Sequence, residues 1–132
     1  MLKLKTVIET DLLTVKVDST LGQLVRIISR SKRNIFPVID REENFCGVVL
    51  LDDVRQFMFD KERYNKTLVK DLMTMPPAII TLDERMDSVM KKFNDTGAWN
   101  LPVVSEKKYV GLISKSTIFN AYRSELVRFS EE

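Results

Sequence analysis

The side chains best equipped for chemistry are scarce in this chain, and histidine is absent from all 132 residues. The commonest general base and the commonest metal ligand are therefore missing together. One cysteine cannot form an internal disulfide, which suits a reducing compartment. That cysteine, Cys46, sits in an apolar run beside Gly47, where a small packed side chain is expected rather than a reactive thiol. Carboxylates are plentiful, but Asp52 and Asp53 are sequence neighbours. At a helix start they point in different directions, so a joint acid–base role is not expected. The acids show no calcium-loop spacing, and there is no glycine-rich phosphate loop. The usual nucleophile–base sets cannot be assembled from these residues. What remains is recognition: no catalysis, no metal and no required cofactor are expected.

Any binding residue must be positioned by a repeat. Laying Pro37 of "NIFPVID" on Pro102 of "NLPVVS" places Asp18 on Asp83 at the same offset. Leu21, Leu24, Val25 and Ile28 then fall on Met86, Val89, Met90 and Phe93, both quartets with the spacing of one helix face. After one residue is lost in a turn, Gly47 matches Gly111. Each half reads β-α-β-β-α. Strands are expected at 12–17 and 78–82, helices at 20–31 and 85–96, and extended segments at 35–39 and 101–104. Further strands follow at 45–51 and 109–114, with second helices near 52–60 and 115–128. Thr20 and Gln23 have the spacing of a capping box. The reading is an α+β chain of two tandem repeats, 1–59 and 69–132, joined by a polar linker at 60–68 and packed with pseudo-two-fold symmetry. One such unit alone would bury little surface, and two give a plausible core.

Composition narrows the partners. The chain is 44% hydrophobic and 30% charged, with 21 basic and 19 acidic residues spread along it and a net charge of +2. This is a globular composition, without the clustered basic face of a nucleic-acid binder. No stretch approaches the ~20 apolar residues of a membrane helix, so no direct membrane insertion is expected. The second helices carry more apolar residues than one buried face needs. Phe57 and Met58 share a stripe with Val54, and Tyr122 shares one with Ile118 and Ala121, while Phe59, Phe119 and Leu126 fall largely outside. Such a surplus marks a partner surface, and a homodimer through Phe57, Met58, Phe59, Phe119, Tyr122 and Leu126 is expected.

The stretches "DSTLGQLVRIISRSKRNIFPVIDREENFCGVVLLDDV" and "LDERMDSVMKKFNDTGAWNLPVVSEKKYVGLISKSTI" together resemble a tandem pair of CBS domains, a Bateman module. "VKDLM" at 69–73 is typical of a second repeat's opening. "SKRNIFPVID" followed by "GVVLLDDVRQFMF" is similar, more narrowly, to the cytoplasmic tails of bacterial ClC-type chloride channels and transporters. The resemblance implies a regulatory module on the cytoplasmic side of a membrane. Its partner would be the channel or transporter domain of the same polypeptide. A CBS pair regulating another transporter or enzyme, or a ligand-free dimerisation module, are the alternatives.

The resemblance also implies a site for AMP, ADP, ATP or S-adenosylmethionine between the repeats. The family motif places a Thr or Ser near the phosphates and an Asp on the ribose. Here each half keeps one member: Asp53 with Leu50 at the hydroxyl position, and Ser114 with Thr117 at the aspartate position. The residues before each proline, often basic in the family, are Asn34 and Ile35 beside Arg33, and Trp99 and Asn100. Arg33 is a candidate for a phosphate and Trp99 for an adenine. Ser/Thr-x-x-Asp is close to a capping box, so helix capping alone is an equal reading of the motif. The first-repeat cleft, with Asp53, is the better nucleotide candidate, and the second is expected to be empty.

Overall fold

The computed structural model describes residues 2–131. Two compact units form: Asp11–Pro76 with Lys107–Tyr109, and Pro77–Glu106 with the chain through Thr10 and from Val110 onward.

In the first, β1 (Val15–Lys16) runs parallel to β2 (Ile35–Ile39), which is antiparallel to β3 (Phe45–Leu50). Between β1 and β2 lies α1 (Leu21–Ser29), whose start is fixed by the expected capping box. Gln23 N donates to Thr20 Oγ1 (3.2 Å) and Thr20 N to Gln23 Oε1 (2.9 Å). Leu21 and Leu24 of α1 are fully buried against Val15, Phe36, Val38, Val49, Val54 and Val69. Pro37 sits in the middle strand without harm, because β1 pairs only with Val38 and Ile39, beyond it.

The second unit repeats the plan. β4 (Ile80–Thr81) runs parallel to β5 (Asn100–Ser105), and β6 (Lys108–Ser114) completes the sheet in the order β4-β5-β6. A two-residue turn joins β5 to β6, with Glu106 and Lys107 both at positive φ (49° and 72°), as a type I′ turn requires. α4 (Met86–Thr96) ends at Gly97, whose left-handed backbone (φ 69°) lets its N–H reach Phe93 O at 2.9 Å. α5 (Lys115–Glu131) follows β6 directly. Ile80, Val89, Phe93, Leu101, Val103, Ile113 and Ile118 are buried together.

The opening segment of each repeat closes the other repeat's sheet. Leu2, Leu4 and Val7 are buried in the second repeat's core, and Val69 in the first's, at the head of the short α3 (Val69–Leu72). Glu9 and Leu112 exchange backbone hydrogen bonds (2.8 and 2.9 Å), as do Val48 and Thr74 (2.9 and 2.8 Å). This explains the two matched glycines. A Cβ on Gly111 would lie 2.6 Å from Glu9 O, and one on Gly47 would lie 2.9 Å from Thr74 O. Only bare backbone admits the crossing segment.

Two expectations of element length need correction. The second helix of repeat one, expected over 52–60, is α2 (Leu51–Val54) tightening into a 3-10 turn at Arg55–Phe57. Leu50 at its N-cap has no oxygen to accept from the free N–H groups. α5 instead runs to Glu131, past the expected end at 128. Cys46 is half-buried rather than fully packed, and burial, then the nearby Asp40 charge, raises its thiol pKa.

Candidate functional site

The two repeats share one backbone device. The first N–H of the last helix donates to the carbonyl of a residue just before the proline strand: Leu51 N to Asn34 O, and Lys115 N to Trp99 O, each 2.9 Å. This bond gathers the residues singled out on each side. It brings Arg33, Asn34 and Ile35 to the start of α2, and Trp99 and Asn100 to Ser114 and the start of α5.

In the first repeat, Asp53 is exposed on α2 and makes no hydrogen bond or ion pair among the described residues. Its neighbour Asp52 instead holds Arg55 at 2.7 Å, so the two carboxylates do not act jointly. Leu50, at the hydroxyl position, is partly exposed and caps nothing. Asn34 is exposed and Ile35 half-buried. Arg33 N donates to Ser31 Oγ (2.9 Å), and its guanidinium lies 3.9 Å from Asp11.

In the second repeat the hydroxyls are engaged with their own helix. Ser114 Oγ accepts from Thr117 N (3.2 Å) and donates to Thr117 Oγ1 (2.7 Å), so the capping reading describes this half. Asn100 is half-buried at the start of β5. Trp99 is 73% exposed, so it is not a core residue. The Lys115 ammonium lies 5.5 Å from the Trp99 ring centre and 5.8 Å from that of Phe119, within cation–π range of both. The sequence reading missed Lys115, although its i, i+4 relation to Phe119 on a helix was available. It also missed Asp11, which no local spacing connects to Arg33.

The dimer candidates divide by what they touch. Phe57, Met58 and Tyr122 pack partly buried against their own cores, and the Arg63 guanidinium covers the Phe57 ring at 4.9 Å. Phe59 (91% exposed), Phe119 and Leu126 (67%) are open to solvent, as are Val127 and Phe129 (78%). An open hollow of about 540 Å³ is lined by Lys5, Thr81, Asp83, Ser105 and Glu106. It lies past the ends of β4 and β5, away from Trp99 and Asn100, and its mixed charges specify no ligand. Among the described residues no group of three or more His, Cys, Asp or Glu is placed to hold a metal. No described helix is long and apolar enough to cross a membrane.

The family model described as the CBS domain matches twice, at residues 4–60 and 69–124. The chain belongs to the CBS domain family. It is a tandem CBS pair, and the α+β fold is that of the family's solved structures. CbpB in complex with c-di-AMP is 18% identical with a TM-score of 0.81, covering 98% of this chain and 90% of that one. CBSX2 in complex with AMP is 20% identical with a TM-score of 0.75, covering 94% and 98%. The CBS domain of a bacterial CNNM/CorC family Mg2+ transporter is 16% identical with a TM-score of 0.74, covering 89% and 72%. At such identities these likenesses concern the fold. Curated relatives at 23–27% identity are longer, the CBS pair spanning only 13–42% of their length.

Proposed function

We propose that this CBS pair is a non-catalytic regulatory module that senses an adenine nucleotide in the first-repeat cleft and dimerises through α5. The observation that carries the nucleotide reading is the uncommitted Asp53 carboxylate, beside a helix start tied to Asn34. Two carboxylate oxygens can accept from the two ribose hydroxyls. CBS-pair neighbours carrying AMP and c-di-AMP support adenine as the base. The second-repeat cleft lacks a carboxylate at Thr117 and has its hydroxyls engaged, so it takes no nucleotide of this kind.

Calorimetry with AMP, ADP, ATP, S-adenosylmethionine and c-di-AMP tests the reading. Binding by the wild type that weakens on Asp53→Ala is expected, and no heat with any of them at millimolar concentration overturns it. Ligand regulates only through different affinity for two arrangements of the module. The alternative, a dimerisation module without ligand, draws on the self-satisfied cap at Ser114. It predicts a dimer whose stability ignores all five compounds.

The regulated partner is a further part of the same polypeptide, consistent with the greater length of the relatives. A membrane-transport domain is favoured by the transporter among the structural neighbours, which would put the module on the cytoplasmic side of the membrane. A ClC-type chloride channel rests only on the wording of residues 31–40 and 47–59, since the neighbours are CBS proteins of several kinds.

A further inference from the structure

Lys115 opens α5 with the wrong sign for its position. A helix N-terminus carries partial positive charge and favours an anion. This cation has no carboxylate partner among the described residues and lies instead 5.5 Å from the Trp99 ring centre and 5.8 Å from that of Phe119. The Trp99 backbone is fixed, its carbonyl accepting Lys115 N at 2.9 Å, while its side chain stands open to solvent. α5 is also charged unequally along its length. Residues 115–123 carry Lys115 and Arg123 and no acid, whereas residues 124–132 carry Glu125, Glu131 and Glu132 against Arg128 alone. A second α5 lying parallel and in register would set like halves together. Lys115 would then face its own copy, because it continues the three- and four-residue spacing of Phe119, Tyr122, Leu126 and Phe129. A second α5 lying antiparallel sets the basic half against the acidic one, and the helix ends meet with opposite partial charge.

We infer that α5 pairs antiparallel with α5 of a second copy, and that Trp99 and Phe119 together receive the partner's Phe129. Tyr122 then faces the partner's Leu126, so every exposed apolar residue of the seam is covered. Lys115 meets the acidic end of the partner's helix, which supplies the anion its position lacks. The inference rests on the dimer reading above and adds the direction of pairing and the contact made by Trp99.

Trp99 is the only tryptophan, so its emission reports this contact. The full chain is followed by sedimentation and tryptophan fluorescence across the same dilution series. Emission should shift to the blue as the dimer forms, and Trp99→Ala should weaken the dimer about two- to ten-fold, the range of an aromatic pair. Direction is read by cross-linking. Chains carrying Ser116→Cys or Ser130→Cys, each with Cys46→Ser, are treated with a short bismaleimide, separately and mixed. At 1.5 Å per residue the two positions lie about 21 Å apart along the helix. A parallel pair therefore links each variant to itself, and an antiparallel pair links only the mixture. Links in the mixture alone are expected. Self-linking of either variant overturns the inference and leaves dimerisation through α5 standing. A dimer indifferent to Trp99→Ala, or one whose emission does not move, overturns it as well. A dimer that links in no sample, or a chain that stays monomeric at high micromolar concentration, removes both the inference and the α5 dimer on which it rests.

Discussion

Ser114 and Asp53 come from the same stretch of the two repeats, yet one is engaged within its helix and the other is open. The Ser114 hydroxyl joins Thr117 N and Thr117 Oγ1 at the start of a 17-residue helix. Ser114→Ala is expected to lower unfolding free energy by about 1 kcal/mol, the ordinary worth of an N-cap, and to leave nucleotide affinity unchanged. Urea denaturation and calorimetry on one preparation separate the two effects. Asp53→Ala should do the reverse. An exposed carboxylate without a protein partner contributes within about 0.5 kcal/mol to stability, whereas hydrogen bonds to a charged group are worth roughly 1.5–3 kcal/mol in binding. Nucleotide affinity should therefore fall about ten- to a hundred-fold. If Asp53→Ala unfolds the protein or leaves affinity intact, the site has been misassigned.

At the scale of elements, the corner between β4 and α4 is held by one half-buried ion pair. Lys92 Nζ donates to Ile79 O (2.7 Å) and Glu84 Oε1 (2.8 Å). Ser88 Oγ donates to Glu84 Oε2 (2.7 Å), and Thr81 N to Glu84 Oε1 (3.1 Å). Burial pushes the Glu84 carboxyl up, but the bonds from Lys92, Ser88 and Thr81 outweigh it and leave the pKa below its ordinary 4.5. A folded pKa below the unfolded one gives stability that is fully present above about pH 4.5 and lost as pH falls through the folded value. Glu84→Gln should destabilise at pH 7, with the gap from the wild type narrowing below pH 4.5, as urea midpoints across pH would show. The crossing segments are a second element-scale case. Gly111→Ala should cost about 1–3 kcal/mol, because Glu9 O must move aside for the new Cβ. α1, α4 and the proline strands were legible because a 3.6-residue apolar period, a capping box and β-branched runs agree there. The length of α2 was not. Phe57 and Met58 continue an apolar helical stripe, so the residue types do not signal the early change to a 3-10 turn at Arg55–Phe57. The exchange of opening segments was visible only as two unexplained glycines, since one bridge per segment leaves no periodicity. The candidate nucleotide positions came from the resemblance alone. Whether their hydroxyls and charges were free depended on hydrogen bonds, such as Ser114 to Thr117, that spacing does not report.

For the whole molecule, the open side of α5 asks for a partner. Phe119, Tyr122, Leu126 and Phe129 recur at intervals of three and four residues, the heptad seam by which two helices pack with a left-handed twist. Tyr122 is partly buried against its own core, whereas Leu126 and Phe129 are largely exposed. The helix runs on to Glu131, while the family match ends at residue 124, so the exposed end of the seam extends this chain's α5 beyond the shared pattern. A second copy of α5 is the occupant we propose, since each chain then supplies the surface the other needs. Sedimentation should find a dimer at micromolar concentration. Leu126→Asp with Phe129→Ser should shift it to monomer with little change in the unfolding of each chain, because both residues lie outside the two cores. Phe59→Ser, a change at a comparably exposed aromatic in the other repeat, should leave the dimer intact if α5 alone forms the contact. A wild type that stays monomeric at high micromolar concentration would remove the dimer. A dimer unaffected by the double substitution would move the interface off α5, with Phe59 and the exposed Met75 as the next residues to change.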